Sequence, residues 1–186
     1  MPVEDIHRTA QDKMQKSIEV LKHEMATIRT GRASPALLDR VSVDYFGSAT
    51  PINALATISA PEPRLLTIQP WDRQSLGAIE KAIQKSDLGL NPTNDGQMIR
   101  LVIPQLNDER RKELVKLVHH RLEDTRVAIR NCRRDAVESL RKEEREKLLS
   151  EDEAKRGQDR FQKLTDQFVA QVDEIGKAKE REIMEP

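Results

Sequence analysis

Large aromatic rings are scarce in this chain: three phenylalanines, one tyrosine and one tryptophan among 186 residues. With 34% of residues charged, and Leu, Ile, Val, Ala, Lys, Arg and Glu dominating, the profile favours long helices over a large globular core. There is one cysteine, Cys132. It excludes an internal disulfide framework and any cysteine-based metal site, and it fits a reducing compartment. Apolar runs are short, none approaching the roughly 18 residues of a membrane span. The first residues, with Glu4, Asp5 and Asp12 among them, resemble neither a secretory signal nor an acid-poor transit peptide. A soluble, cytoplasmic protein is expected, with no membrane contact and room for one large domain or two small ones.

Net charge is also missing, since 32 Lys and Arg balance 32 Asp and Glu. No global field therefore draws the protein toward nucleic acid. The balance is local rather than uniform. Residues 110–134 hold nine Lys or Arg against three Asp or Glu, a net of +6. Residues 150–186 hold seven against ten, a net of −3. Neutrality hides a basic helix beside an acidic one.

Periodicity divides the chain into three parts. In residues 3–29, Val3, Ile6, Ala10, Met14, Ser17, Leu21, Met25 and Ile28 fall on one helical stripe. Gly31 and the Ser34-Pro35 step end that helix, because the residue before proline avoids helical dihedrals. Residues 31–105 hold seven of the nine prolines and five of the seven glycines. There Val41, Val43 and Tyr45 alternate with Ser42, Asp44 and Phe46, as in a half-buried strand. Short strands are expected at 55–59, 65–69 and 98–103, a helix at 75–85, and a turn-rich loop from Leu88 to Gly96. Beyond Pro104, Asn107 or Asp108 can cap a long helix. Ser150 followed by Glu153 matches a capping box that opens another. In that last helix Ala154, Phe161, Phe168 and Ile175 recur at sevenfold spacing, with Leu164 and Val172 between them.

Three amphipathic helices can bury their stripes only against one another. The expected fold class is α+β: an elongated antiparallel three-helix bundle, residues 1–30 and 106–186, interrupted by a small α/β domain at 31–105. Two backbone strands join the parts, so Thr30, Gly31, Arg32, Pro104 and Gln105 form the expected hinge of a bent molecule.

The long central helix carries the candidate site. Val118, Leu122, Thr125, Ile129, Cys132, Ala136 and Leu140 already complete a buried seam at steps of three and four. Arg126, Arg130, Arg133 and Arg134 gather about a quarter-turn away. Solvated helices usually interleave Glu and Lys at i,i+4, yet residues 126–134 contain no acid. Clustered guanidinium groups favour bidentate phosphate contacts, so the flank is a candidate for gripping phosphates.

Other features carry less. His119 and His120 point about 100° apart and cannot easily share a metal ion. Gly31-Arg32 follows a helix end rather than opening one, so it is no phosphate-cradling loop. Cys132 sits on the apolar seam, where a thiol packs. Asp135 and Glu138 have no visible cleft. With no serine elbow, Walker loop or dinucleotide fingerprint, neither catalysis nor a cofactor is expected. A coiled-coil adaptor would also explain the heptads, and a general RNA chaperone the arginines.

Several stretches together resemble the bacterial ribosome recycling factors: Ile28-Arg29-Thr30-Gly31-Arg32-Ala33-Ser34-Pro35, Glu80-Lys81-Ala82-Ile83, residues 86–92, Glu109-Arg110-Arg111-Lys112, residues 127–136, Ser150-Glu151-Asp152 and Gln162-Lys163-Leu164-Thr165-Asp166. They run in order over nearly the whole chain. The resemblance implies the two-domain architecture just described, with a shape like transfer RNA. It implies binding, as a monomer, to the bacterial 70S ribosome after termination, chiefly on large-subunit ribosomal RNA at the subunit interface. With elongation factor G and its GTP hydrolysis, the subunits would be split and messenger RNA and deacylated transfer RNA freed. By the same resemblance Arg32, Arg111, Arg130, Arg133 and Arg134 are the RNA-contacting residues, and the small domain faces elongation factor G and the small subunit. Cys132 departs from the pattern, standing where a small aliphatic residue is expected.

Overall fold

The computed structural model describes residues 2–185. Three long helices dominate: α1 (Pro2–Thr27), α3 (Asp108–Arg145) and α4 (Glu151–Met184), with a shorter α2 (Leu76–Lys85) between the first two. The remaining regular structure of the described residues is three single-turn 3-10 helices (Pro35–Leu38, Ile52–Ala54 and Arg73–Ser75) and six short strands: β1 (Ser42–Tyr45), β2 (Ser48–Pro51), β3 (Ala56–Glu62), β4 (Leu65–Pro70), β5 (Pro92–Asn94) and β6 (Ile99–Val102). The chain forms two compact units. One takes the chain up to Met25 together with Lys112–Arg181; the other takes Ala26–Arg111 and the chain from Glu182 onward.

In the helical unit the expected stripes are buried. Ala10, Met14, Leu21 and Met25 of α1 are inside, joined by Ile18, while Ser17 is only half-buried. On α3 the seam holds throughout except at Cys132, which is half-buried, and Leu114 extends it. On α4 Ala154, Phe161, Leu164, Phe168 and Val172 are buried and Ile175 partly so. The helix starts follow from local chemistry. Asn107 Oδ1 accepts from the Arg110 N–H at 2.7 Å, capping α3. At α4 the capping box closes both ways: the Ser150 N–H donates to Glu153 Oε2 at 2.8 Å, and the Glu153 N–H donates to Ser150 Oγ at 3.2 Å.

Helix directions can be read from contacts. Arg160 of α4 pairs with Glu4 at 2.6 Å, whereas Arg121 of α3 lies 3.7 Å from Glu24. So α3 runs antiparallel to α1, and α4 runs parallel to α1. Two glycines bring α3 and α4 close together. A Cβ on Gly157 would sit 2.8 Å from Leu140 Cδ1, and one on Gly176 would overlap Leu122 Cδ1 and lie 3.2 Å from Cδ2. Each leucine fills the hole left by a missing side chain.

The small unit has a four-stranded antiparallel sheet, ordered β3-β4-β6-β5, and a separate β1–β2 hairpin. Its core combines Val41, Val43, Leu66, Ile68, Ile99 and Leu101 with Ile79 and Ile83 from α2. Four expected strands appear where periodicity places them, β1, β3, β4 and β6, as does the expected helix, α2. Two strands escape it. β2 reads Ser-Ala-Thr-Pro and buries no residue fully; β5 reads Pro-Thr-Asn inside the stretch expected to be loop. Both are held by pairing rather than by an apolar face. Phe46 is not the end of a strand. With φ 49° it begins the two-residue turn Phe46-Gly47, and it is 86% exposed. Gly47, at φ 81°, supplies the second left-handed position that such a turn requires.

Replacing Gly176 with alanine tests the close helix approach. Better helix propensity favours the variant by about 1 kcal/mol, but overpacking against Leu122 costs about 1–3 kcal/mol. We expect net destabilisation in urea unfolding, and a reversal of sign when Leu122 is also alanine. A second prediction concerns His7, which stacks on Phe161 at 5.9 Å. Burial, and then the Arg160 charge, hold its pKa below the ordinary 6.5, partly opposed by Glu4. The fold therefore favours neutral His7; that stabilisation is complete above pH 6.5 and is lost as pH falls through the lowered value. Thermal midpoints of a His7→Gln variant should lose this component of the acid-side decline.

Candidate nucleic-acid interface

The arginine flank forms because α3 turns by about 100° per residue. Arg126, Arg130 and Arg133 fall within a narrow sector, and Arg134 lies to one side. Facing the sector on α4 is a row of polar residues at helical spacing, Gln162, Asp166 and Asp173. The side chains meet this row unequally.

Arg126 is the most restrained. Its Nε and Nη2 donate to Asp173 Oδ1 at 3.2 and 2.6 Å, and Nη1 lies 3.3 Å from Glu123 Oε2. Only 24% of the side chain is exposed. The Asp173 hydrogen bond, outweighing the cost of burial, raises its pKa further above the usual arginine value. Two carboxylates claim this guanidinium, so little of its charge is left for an outside partner.

Arg130 is more exposed: half of its side chain is open to solvent, and among the described residues it pairs only with Glu123, at 3.4 Å. Arg133 donates through Nη1 to Gln162 Oε1 at 2.6 Å and meets no carboxylate among the described residues. Arg134 is exposed and makes no hydrogen bond or ion pair to the described residues. Arg133 and Arg134 open on a shallow groove of about 850 Å³ that also draws in Arg141 and Arg145, with Glu138 and Glu144 among them. Periodicity around residues 126–134 did not single out those last two arginines. The acids that hold Arg126 were missed too, because Asp173 comes from another helix and Glu123 lies just upstream of the acid-free run.

Arg32 and Arg111 belong to the other compact unit. Arg32 is exposed and donates to the backbone carbonyl of Glu185. Arg111 is one-fifth exposed and lies 3.3 Å from Asp108 Oδ1, while its buried Nε has no hydrogen-bond partner among the described residues. The expected hinge residues lie in this unit as well. Thr30 is 5% exposed. Gly31 is buried with φ +77°, where an added Cβ would stand 3.3 Å from Leu106 Cγ. Both backbone strands are tied to one turn: the Ala33 N–H donates to the Pro63 carbonyl at 2.6 Å, and the Ile103 N–H to the Arg64 carbonyl at 2.8 Å. Pro104 and Gln105 are exposed and outside regular structure.

The remaining candidates separate. His119 meets Glu180, while His120 lies 3.6 Å from Asp124. Among the described residues no group of three or more His, Cys, Asp or Glu could hold a metal ion. Asp135 borders a groove between α1 and α3 with Cys132, whereas Glu138 borders the arginine groove, so the two carboxylates do not converge. Burial pushes the Cys132 thiol above its usual pKa, which makes it a poor nucleophile. No helix among the described residues is long and apolar enough to cross a membrane.

Fold and flank together define a mixed α+β protein whose helical bundle is discontinuous in sequence and carries a partly uncompensated cationic face. The family model described as RRF, ribosome recycling factor, matches residues 21–184. The ribosome-recycling factor of Carboxydothermus hydrogenoformans is 63% identical over 182 residues, 98% of each chain. That of Natranaerobius thermophilus is 55% identical over 181 residues, 97% of this chain and 98% of its own. Among solved structures, a solution structure of the ribosome recycling factor superposes with a TM-score of 0.81 at 47% identity, covering 100% of this chain and 99% of that one. A second, describing the T. thermophilus ribosome recycling factor and the E. coli elongation factor G bound to the E. coli post-termination complex, gives 0.70 at 50% identity, covering 98% and 99%. The chain belongs to the ribosome recycling factor family, a family of translation factors.

The pairing pattern makes Arg126 a clasp between helices. Arg126→Ala should lower stability by about 1 kcal/mol or less, since Asp173 is half-exposed and screened. It should leave the salt dependence of RNA binding unchanged, a combination checked by thermal unfolding alongside a salt titration.

Proposed function

We propose that this protein binds the bacterial ribosome after termination and, with elongation factor G and GTP hydrolysis by that factor, splits the subunits, releasing messenger RNA and deacylated transfer RNA. The observation that carries the reading is the flank of α3 on which Arg133 and Arg134 meet no carboxylate among the described residues and half-exposed Arg130 meets only Glu123, while Arg126 is held by both Asp173 and Glu123. Large-subunit ribosomal RNA offers that flank a ladder of phosphates. Arg32 and Arg111 add contacts from the second unit. Neutral net charge limits adventitious adhesion to other polyanions, leaving recognition to the local face. The family relationship supports the partners, as does the T. thermophilus relative described with elongation factor G on a post-termination complex.

The energy for splitting comes from the GTPase, since this sequence carries no Walker loop or other nucleotide-binding motif. In our reading the protein is a monomeric cytoplasmic lever, not an enzyme. Residues 1–30 and 106–186 anchor it to RNA, while the small domain, 31–105, takes the push of elongation factor G. Thr30, Gly31, Arg32, Pro104 and Gln105 bend between them. The buried left-handed Gly31 suits such a point, because a side chain there would be strained.

The test is sedimentation of post-termination ribosomes with this protein, a matched elongation factor G and GTP, beside an Arg130→Ala, Arg133→Ala double variant. The wild type should split the subunits, and the variant should bind at least tenfold more weakly, a loss of about 1.4 kcal/mol or more. Splitting by both proteins would keep the function and remove the arginine flank from it. No splitting by the wild type would overturn the function itself.

A further inference from the structure

The contrast between Arg126 and Arg133 points to a further device. Both arginines reach toward α4, but Arg126 meets carboxylates and Arg133 meets an amide. Gln162 accepts from Arg133 Nη1 at 2.6 Å through Oε1, and its Nε2 donates to Asp166 Oδ1 at 2.8 Å. Residues 162 and 166 are one helical turn apart, so Asp166 stands beside the amide. Only one orientation of that amide satisfies both neighbours. Turned over, it would set NH2 against a guanidinium and a carbonyl against a carboxylate. The orientation of Gln162 is therefore fixed by charge on both sides.

We infer that Gln162, oriented by Asp166, is a positioning residue that holds the Arg133 guanidinium for a backbone phosphate without neutralising it. The inference rests on the RNA-binding reading of the α3 flank. A carboxylate at position 162 would hold Arg133 equally well, but would cancel the charge that a phosphate needs. An amide gives direction and leaves the charge. Asp166 is kept one hydrogen bond further away, where it orients the amide instead of pairing with the arginine. A long exposed arginine otherwise loses rotamer freedom on binding; one already held loses less.

The experiment measures binding of the full-length protein to purified bacterial large ribosomal subunits across a range of salt. The variants are Gln162→Met, Gln162→Glu, Asp166→Ala, Arg133→Ala and the pair Gln162→Met with Arg133→Ala. Each salt-bridged phosphate contributes roughly 0.7–0.9 to the slope of log affinity against log salt. Arg133→Ala should therefore weaken binding and flatten the slope by about that amount. Gln162→Met should weaken binding roughly threefold to tenfold, as expected for one lost hydrogen bond, with the slope intact because the charge remains. Gln162→Glu should flatten the slope as Arg133→Ala does. Asp166→Ala should give a smaller loss than Gln162→Met, again at unchanged slope. It remains informative if Gln162→Met fails to fold. In the double variant the Gln162→Met loss should vanish.

Wild-type binding by Gln162→Met, or a loss that persists without Arg133, would overturn the positioning role while leaving the arginine flank in place. Wild-type binding by Arg133→Ala would instead remove Arg133 from the site, and the positioning role with it.

Discussion

Leu122 and Leu140 of α3 lie over Gly176 and Gly157 of α4, and the polar chemistry of the bundle depends on how near those contacts bring the two helices. The leucines are 18 positions apart and the glycines 19, so both contacts recur after about five turns, roughly 27 Å along the axis. Between them the helices stay close enough for short side chains to bridge. Asp173, a side chain with only two torsions, reaches Arg126, and Gln162 reaches Arg133. With larger residues at 157 and 176 the helices would separate and the arginine flank would lose its order. Packing in the interior thus sets the geometry of charge on the surface.

Along that flank the same residue type does two different jobs, and the neighbouring acceptor decides which. Carboxylates turn Arg126 into part of the scaffold. An amide leaves Arg133 charged but directed, Arg134 has no described partner, and Arg130 shares Glu123 with Arg126. A polyanion approaching α3 therefore meets charge that increases away from the Asp173 clasp. Because opposite charges cancel over the whole chain, attraction is confined to short range, where shape can discriminate.

Much of this organisation was legible in the residues. The stripes of α1, α3 and α4 could be read because a buried helical face imposes its period on the sequence, and the Ser150–Glu153 box because both of its bonds are local. β2 and β5 could not be read: strands this short are held by hydrogen bonds to β1 and β6, and such pairing leaves no mark on their own side chains. Phe46 was misplaced for a related reason. Alternation continued through it, but the turn that required φ 49° belongs to the hairpin as a whole. The chain passes between the compact units at residues 25–26, 111–112 and 181–182, and the last of these crossings falls inside a continuous helix, where no proline or glycine marks it.

The sequence by itself determined that the chain has three amphipathic helices around a proline-rich insert, and that one helix gathers arginine beside its seam. These are consequences of local periodicity and charge, which each segment carries alone. Only the tertiary structure decided which arginines keep their charge. Asp173 and Gln162 lie 47 and 29 residues from the arginines they hold, and no local pattern links positions so far apart. Their meeting follows from the antiparallel packing of α3 on α4, set by leucine over glycine.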